Sequence, residues 1–119
     1  MNRVQETVTI TNKLGLHARA AAVFVQVASK FQSNIQLKKT DNSIKQDIAT
    51  QDIAEQDIAT QYFTNSLNSD WVNGKSILNV MTLDAGIGSQ IVINVQGPDA
   101  QQALDRLIKL VNDKFGEKE

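Results

Sequence analysis

A single histidine, His17, supplies the only imidazole in this chain of 119 residues. It stands in the segment Gly15-Leu16-His17-Ala18-Arg19-Ala20, where turn residues give way to a predicted helix. The first amides of a helix have no intrahelical partners, and together with the helix dipole they attract anions. The same positive end disfavours the imidazolium ion, so a histidine placed there tends to be neutral and nucleophilic.

A phosphoryl group carried by such a ring would find ligands close by. Its oxygens would meet the free amides of Ala18, Arg19 and Ala20 and the guanidinium of Arg19, while a neighbouring group would hold the unused ring nitrogen in one tautomer. This geometry suits a transient phosphohistidine, although the spacing alone does not favour it over a histidine without a chemical role. The structural alternative is a surface histidine near a helix start with no chemical role.

Other residue types exclude several classes of chemistry. The chain has no cysteine, which excludes a disulfide framework, a thiolate metal site and thiol catalysis, and one histidine cannot form a multi-histidine metal centre. Asp47, Asp52 and Asp57 match no calcium-loop spacing. We therefore expect neither a metal nor a cofactor, and a net charge of −1 gives no general case for nucleic-acid binding.

The composition predicts one soluble domain. The sequence is 41% hydrophobic and 21% charged, a globular profile for a length that suits a single core. No apolar run approaches the ~20 residues needed to cross a bilayer, and the N-terminus turns polar too early for a secretory signal. We expect a cytoplasmic protein.

The hydrophobic pattern predicts strands alternating with helices. Strands are indicated at residues 4–10, 34–39 and 90–95, with a further short strand between the second and third of these. Together with the predicted helices, this order favours an α+β open-faced sandwich, βαββαβα, with helices on one face of the sheet. The helices are predicted from Ala18 to Phe31 with Ala21, Phe24, Val25, Ala28 and Phe31 on one stripe; over residues 76–83; and after Gly97-Pro98-Asp99, with Ala100, Ala103, Leu104, Leu107, Val111 and Phe115 on one face and Gly116 as the stop.

Residues 41–70 do not fit a compact domain. Residues 46–60 are three near-identical five-residue units, beginning Gln-Asp-Ile-Ala, and neither a helical nor a strand period can bury Ile48, Ile53 and Ile58 on one surface. Six acids and one base give residues 41–70 a net charge of −5, which leaves −1 − (−5) = +4 on the rest of the chain. We expect an acidic, flexible insertion at a hairpin tip.

Three segments resemble the HPr family, the histidine phosphocarriers of the bacterial phosphoenolpyruvate-dependent phosphotransferase system. Residues 15–21 are similar to the family's active-site motif, residues 74–83 to its regulatory-serine motif, and Gly97-Pro98-Asp99 to the start of its last helix. The resemblance covers residues 1–40 and 71–119. It implies a four-stranded antiparallel sheet of order 1-4-2-3, covered on one face by three helices, in a monomer.

The resemblance also implies roles for three residues. His17 would accept a phosphoryl group on Nδ1 from phospho-Enzyme I and pass it to the A domain of a sugar permease, and Arg19 would steady that group. Ser76 would be the target of HPr kinase/phosphorylase, where the organism has that enzyme. Such a protein is a substrate of other enzymes and is not itself an enzyme. Many family members have proline where this chain has Ala20, a change that costs a few tenths of a kcal/mol of local rigidity and keeps an amide donor.

Ser76 has a structural role whether or not it is modified. A serine before a helix is usually its N-cap, which stabilises by roughly 1 kcal/mol. A phosphate on it would sit on the helix N-terminus and place about two negative charges in a docking surface, where it would repel acidic partners.

A small apolar surface is predicted beside the histidine, for docking Enzyme I and permease domains. The alternative is that these residues are ordinary core contacts between helices. The basic excess outside residues 41–70 would attract acidic partners, whereas Lys38, Lys39 and Lys75 are interpreted as solvated charges at strand edges. The predicted docking residues are Ala22, Val23, Ile77, Leu78 and Met81.

Two alternative functions remain open on the sequence. One is a purely regulatory relative in which only Ser76 matters, although the presence of His17 with Arg19 argues against it. The other is a diverged or engineered scaffold in which the inserted repeat is a binding or structural graft. With the implied strand order, the insertion and the His17 loop would lie at one end of the sheet, ~10 Å apart. The acidic insertion would then slow the docking of an acidic Enzyme I.

Overall fold

The computed structural model describes residues 2–40 and 71–119. The predicted insertion, residues 41–70, lies outside the described residues. The same holds for its repeat and for Asp47, Asp52 and Asp57. Within the described ranges, no helix is long and apolar enough to cross a membrane. The elements, in chain order, are β1 (Arg3–Thr9), α1 (Ala18–Ala28), β2 (Asn34–Thr40), β3 (Val72–Asn73), α2 (Ile77–Met81), β4 (Gln90–Gln96), α3 (Ala100–Asn112) and a 3-10 turn (Lys114–Gly116).

The sheet has the order β1-β4-β2-β3, and every neighbouring pair is antiparallel. Since β4 lies antiparallel to both β1 and β2, those two strands run parallel to each other. Thr9 and Thr40, the last residues of β1 and β2, both lie opposite Gln90. The predicted fold class and strand order are confirmed, and the loop that carries His17 leaves the same end of the sheet at which β2 ends.

The core lies between one face of the sheet and the helices. β2 and β4 alternate, so that Ile35 and Leu37 from β2 and Ile91, Ile93 and Val95 from β4 are buried while the residues between them face away. Phe24 of α1 and Leu107 of α3 are among the largest fully buried side chains on the helical side. The complete buried stripes are Ala20, Ala21, Phe24, Val27 and Ala28 on α1, and Ala100, Ala103, Leu104, Leu107, Leu110 and Val111 on α3.

The prediction that α1 continues to Phe31 was wrong. The helix ends at Ala28: the amides of Lys30 and Phe31 donate to the carbonyls of Val27 and Ala28, three residues back instead of four, and the chain then turns toward β2. Phe31 lies in that turn, half-buried against the core. Within the helix, Val25 is also only half-buried, and the buried stripe runs through Val27.

The prediction that Phe115 continues the apolar face of the last helix was also wrong. α3 ends at Asn112, and Lys114 and Phe115 adopt left-handed backbone angles, with φ of 59° and 57°. The reversal returns Phe115 to the core, where it is 5% exposed. It also carries the following residue pair, Gly116 and Glu117, back toward the loop that holds His17.

Asp99 joins the start of α3 to the turn before β2. It is the N-cap residue of α3, yet its carboxylate makes no bond within that helix. The two oxygens instead accept from the amides of Gln32 (2.9 Å) and Ser33 (3.0 Å) and from the Ser33 hydroxyl (2.5 Å). The segment before α3 and the turn before β2 lie close together, since a Cβ on Gly97 would lie 2.5 Å from Ser33 Oγ.

The same contacts determine the ionisation of Asp99. The Ser33 hydroxyl, followed by the Gln32 amide, lowers the pKa of the carboxyl below its usual 3.8, because each hydrogen bond favours the charged form. A carboxylate whose folded-state pKa is depressed contributes stability that is fully present above its unfolded value and is lost as the pH falls through the folded value.

We predict that Asp99→Asn lowers the melting temperature at neutral pH, because the amide cannot accept all three hydrogen bonds. The difference from the unsubstituted chain should shrink as the pH falls below 3.8. Thermal unfolding followed by circular dichroism across this range measures it. Asp105→Asn, on the exposed side of α3, is the control and should show little effect; a loss in Asp99→Asn that does not depend on pH would contradict the assignment.

Candidate functional site

His17 is the N-cap residue of α1. Its backbone is extended, with φ of −80° and ψ of −176°, and its carbonyl accepts from the Ala21 amide at 2.8 Å, the first bond of the helix. Its Nδ1 accepts from the Arg19 amide at 3.3 Å. The imidazole therefore caps the helix in the way that a serine or aspartate usually does.

The second ring nitrogen of His17 contacts the C-terminal segment. Nε2 lies 2.8 Å from Oε2 of Glu117, and the side chains are 29% and 14% exposed. Because Nδ1 is an acceptor, the neutral ring carries its proton on Nε2 and donates it to Glu117. This arrangement leaves the Nδ1 lone pair directed at the start of α1.

Asn12 holds Glu117 in place. Its fully buried side chain donates from Nδ2 to Oε1 of Glu117 (3.0 Å) and to the carbonyl of Gly15 (2.9 Å). The Asn12 hydrogen bond is the main cause of a lowered pKa for the Glu117 carboxyl; His17 and Arg19 act in the same direction, and burial opposes them. Glu117 is therefore an anion that is fixed on one side of the ring.

The loop between β1 and α1 is held against the loop that precedes β4. Gly15 has φ of +70°, and a Cβ there would lie 2.5 Å from the carbonyl oxygen of Ala85 and 2.7 Å from Cα of Gly86. Only glycine fits this approach without displacing backbone. The Leu16 amide then donates to Ala85 (2.8 Å), one residue before the histidine.

The Nδ1 side of the ring opens to an anion-binding helix start. Ala18, Arg19 and Ala20 are the first three residues of α1, so their amides lack intrahelical partners. Ala18 and the Arg19 side chain are exposed, whereas Ala20 is buried. A concavity of about 230 Å³ lies beside the ring and is lined by Leu14, Leu16, His17, Met81, Asp84, Ala85 and Gly86.

Ser76 is the N-cap of α2, as the sequence predicts. Its hydroxyl oxygen accepts from the backbone amide of Asn79 (3.3 Å) and from the Asn79 side-chain amide (2.9 Å). Ser76 is half-buried, and the residues that follow it begin the exposed surface of α2.

Exposed apolar side chains lie near the histidine. On α2, Leu78 is 76% exposed, Ile77 41% and Met81 38%. The other two predicted docking residues, on α1, are only half-buried: Val23 packs against the core, and Ala22 lies beside it. The sequence interpretation missed two further residues, Leu14 and Ile87, which are 66% and 62% exposed in the loops on either side of the site.

The interpretation of three lysines as solvated strand-edge charges was wrong. Lys38 lies 5.7 Å from the centre of the Trp71 ring, Lys39 Nζ donates to the Asp84 carbonyl, and Lys75 Nζ donates to the Phe31 carbonyl. All three lysines are half-buried. Lys39 thus connects the end of β2 to the rim of the concavity beside His17.

Glu117 and Asn12 are the site residues that the sequence interpretation did not name. Glu117 is 100 residues from His17 and follows the reversal at Phe115, which no helical or strand period indicates. Asn12 is of a residue type common in turns, and nothing in the sequence around it indicates a role in the site. The one sequence signal was generic, namely that a histidine used at Nδ1 requires a partner for Nε2.

An open-faced sandwich that presents one histidine at the start of its first helix defines a small carrier of a transferable group. The family model described as "PTS HPr component phosphorylation site" matches residues 4–53 and 49–113. The chain is 36% identical to the phosphocarrier protein HPr of Cupriavidus necator over 116 residues, which cover 98% of this chain and 99% of that protein. It is 34% identical to the Pseudomonas aeruginosa protein of the same name, over 94% of each chain.

Solved structures agree with these relatives. The HPr-C-His structure from Thermoanaerobacter tengcongensis is similar with a TM-score of 0.69 at 34% identity, covering 100% of both chains. An HPr from Bacillus anthracis gives a TM-score of 0.64 at 32% identity, covering 92% of this chain and 96% of that one. The chain belongs to the HPr family of phosphocarrier proteins of the phosphotransferase system.

We predict that Glu117→Leu changes the tautomer of His17. With the carboxylate present, the neutral ring should carry its proton almost wholly on Nε2; without that acceptor, a measurable Nδ1–H population should appear. Imidazole nitrogen chemical shifts, recorded above the titration range of the ring, report the two forms.

Glu119→Leu is the matched control, because Glu119 is an exposed carboxylate in the same segment that pairs with Lys13. Identical tautomer populations in both variants would show that Glu117 does not orient the ring.

Proposed function

We propose that this protein accepts a phosphoryl group on Nδ1 of His17 from phospho-Enzyme I and transfers it to the A domain of a sugar permease in the cytoplasm. The observation that supports this best is that the two ring nitrogens have different contacts. Nε2 is hydrogen-bonded to Glu117, whereas Nδ1 faces the start of α1. Membership of a phosphocarrier family supplies the class of reaction.

The transfer step uses the Nδ1 lone pair. It forms a bond to phosphorus as the bond between phosphorus and the donor breaks, and the donor atom keeps that electron pair. The proton on Nε2 stays on the ring, which becomes positively charged as the new bond forms. The Glu117 carboxylate, whose pKa is lowered chiefly by the hydrogen bond from Asn12, stabilises that charge, and the return step reverses the same movements.

The oxygens of the carried group require donors. The amides of Ala18 and Ala20 supply neutral donors together with the helix dipole, and the Arg19 guanidinium supplies a charged one. The Arg19 amide, which donates to Nδ1 in the free protein, must release that nitrogen for the transfer and then becomes a further donor to the phosphoryl oxygens. Alanine in place of the family's frequent proline at residue 20 keeps an N–H in this set. These donors of the chain itself would hold the group in a polar setting.

Docking would use the exposed apolar residues beside the ring. Ile77, Leu78 and Met81 offer side chains of the kind that repack against different partners, with Leu14 and Ile87 extending the same surface. The chain outside residues 41–70 carries +4, which favours fast encounters with acidic partners. Residues 41–70 carry −5 and lie outside the described residues, so their slowing effect on docking stays a prediction.

Incubation with phosphoenolpyruvate and Enzyme I tests the proposal. One acid-labile, alkali-stable phosphate per chain should form and should be absent in His17→Ala. Arg19→Ala should slow the transfer about tenfold to hundredfold, because a charge-assisted hydrogen bond to the group is lost. Arg106→Ala, on the exposed side of α3, is the control; a stable phosphate in His17→Ala would refute the assignment.

We also propose that phosphorylation of Ser76 regulates docking. A phosphate would replace the hydroxyl at the start of α2, where the helix amides tolerate it, so the change would act through charge on the docking surface rather than through unfolding. The exposure of Leu78 and Ile77 directly after Ser76 supports this mechanism.

Ser76→Asp should therefore slow phosphoryl transfer from Enzyme I while leaving the melting temperature nearly unchanged. Ser76→Asn is the matched control, because asparagine caps a helix as well as aspartate does but adds no charge. Rates of phosphoryl transfer measured at two salt concentrations distinguish the variants. The slowing caused by Ser76→Asp should weaken at high salt, because salt screens the added charge. Equal rates for Asp and Asn would refute charge-based regulation.

A further inference from the structure

A further concavity lies on the open face of the sheet, opposite the helices. Its volume is about 420 Å³, within the range of small-ligand sites. β3 lies opposite only Gln36 and Leu37 of β2, and the chain then turns away at Gly74 and Lys75. A notch is left beside the start of β2, on a face that the site around His17 does not use.

Carboxamides line this notch. The strand register places Gln5, Asn94, Gln36 and Asn73 in one row across β1, β4, β2 and β3. A carboxamide both donates and accepts hydrogen bonds and carries no charge, so a row of them matches hydroxyl groups, which also do both. The residues that line the concavity are Asn34, Ile35, Gln36, Asn73, Lys75, Asn94 and Gln96.

Asn94 is the strongest sign that the notch receives a ligand. It is 8% exposed, and its Oδ1 is a buried acceptor with no hydrogen-bond partner among the described residues. A ligand whose hydroxyl displaced the side chains that cover this acceptor would supply the missing hydrogen bond. An apolar side chain at this position would leave no buried acceptor without a hydrogen bond.

The charge around the notch is positive. Lys75 Nζ donates one hydrogen bond to the Phe31 carbonyl at 2.7 Å, and an ammonium group has two further hydrogens. Arg3 and Lys38 lie on the same face, and the described strand residues of that face include no carboxylate. An anionic group on the ligand would therefore lie toward Lys75.

We propose that this amide-lined notch binds a phosphorylated polyol, with hydroxyls on Asn94 and the neighbouring carboxamides and the phosphate on Lys75. The open shape of the notch favours millimolar affinity. This site is independent of phosphoryl transfer at His17, and it is tested without Enzyme I.

Inositol monophosphate, inositol and inorganic phosphate are the probes, titrated into the full chain while side-chain amide signals are followed by NMR. Inositol monophosphate should shift the signals of Asn94 and Gln36 to saturation. Inositol and phosphate alone should each bind at least about tenfold more weakly, since each lacks one set of contacts. Equal binding of phosphate alone, or shifts that centre on the start of α1 and spare Asn94, would overturn the proposal.

Substitutions give a second readout. Lys75→Gln and Gln36→Ala should each weaken inositol monophosphate binding several-fold. Gln36 is exposed and Lys75 half-buried, and thermal unfolding checks that each variant keeps the fold. Asn94→Leu should abolish saturation. Gln90→Ala removes an amide from the same face but outside the notch and should leave affinity unchanged; if Lys75→Gln and Gln36→Ala behave like this control, the notch is not a binding site.

Discussion

The hydrogen bond between His17 Nε2 and Glu117 is the interaction on which the site depends. It joins the loop after the first strand to the last few residues of the chain, 100 positions away. The left-handed reversal at Lys114 and Phe115 makes this contact reachable, and Asn12 fixes the carboxylate from within the same loop. The ring is thus oriented from both sides, by the neighbouring Arg19 amide at Nδ1 and by a residue 100 positions away at Nε2.

Local patterns in the sequence sufficed for the strands, the N-caps and the open-faced architecture. His17 and Ser76 both precede short-range helical signals, and both are caps in the structure. The helix ends were harder, because Phe31 and Phe115 keep a helical spacing of apolar residues after the backbone has already turned. In the turns that follow, Phe115 is buried and Phe31 is half-buried against the core. Their apolar side chains therefore predict contact with the core correctly, whereas their helical spacing predicts the wrong backbone.

Glu117 and Asn94 show where sequence reasoning stops. The role of Glu117 depends on its contact with His17 in the folded chain. In the sequence it resembles any solvated glutamate near a terminus. Asn94 looks like an ordinary outward residue of an alternating strand, yet it is 8% exposed. In both cases the environment of the polar atom is set by tertiary contacts, and the spacing of residues along the sequence does not predict these contacts.

The parallel course of β1 and β2 has a consequence for anything joined between Thr40 and Trp71. Both attachment points lie at the end of the sheet from which the His17 loop leaves, and Lys39 touches the rim of the concavity beside the ring. A peptide connected there meets the carrier site as an intramolecular neighbour, at an effective concentration set by its own length. A sequence inserted between β2 and β3 can therefore affect the His17 site of the same chain.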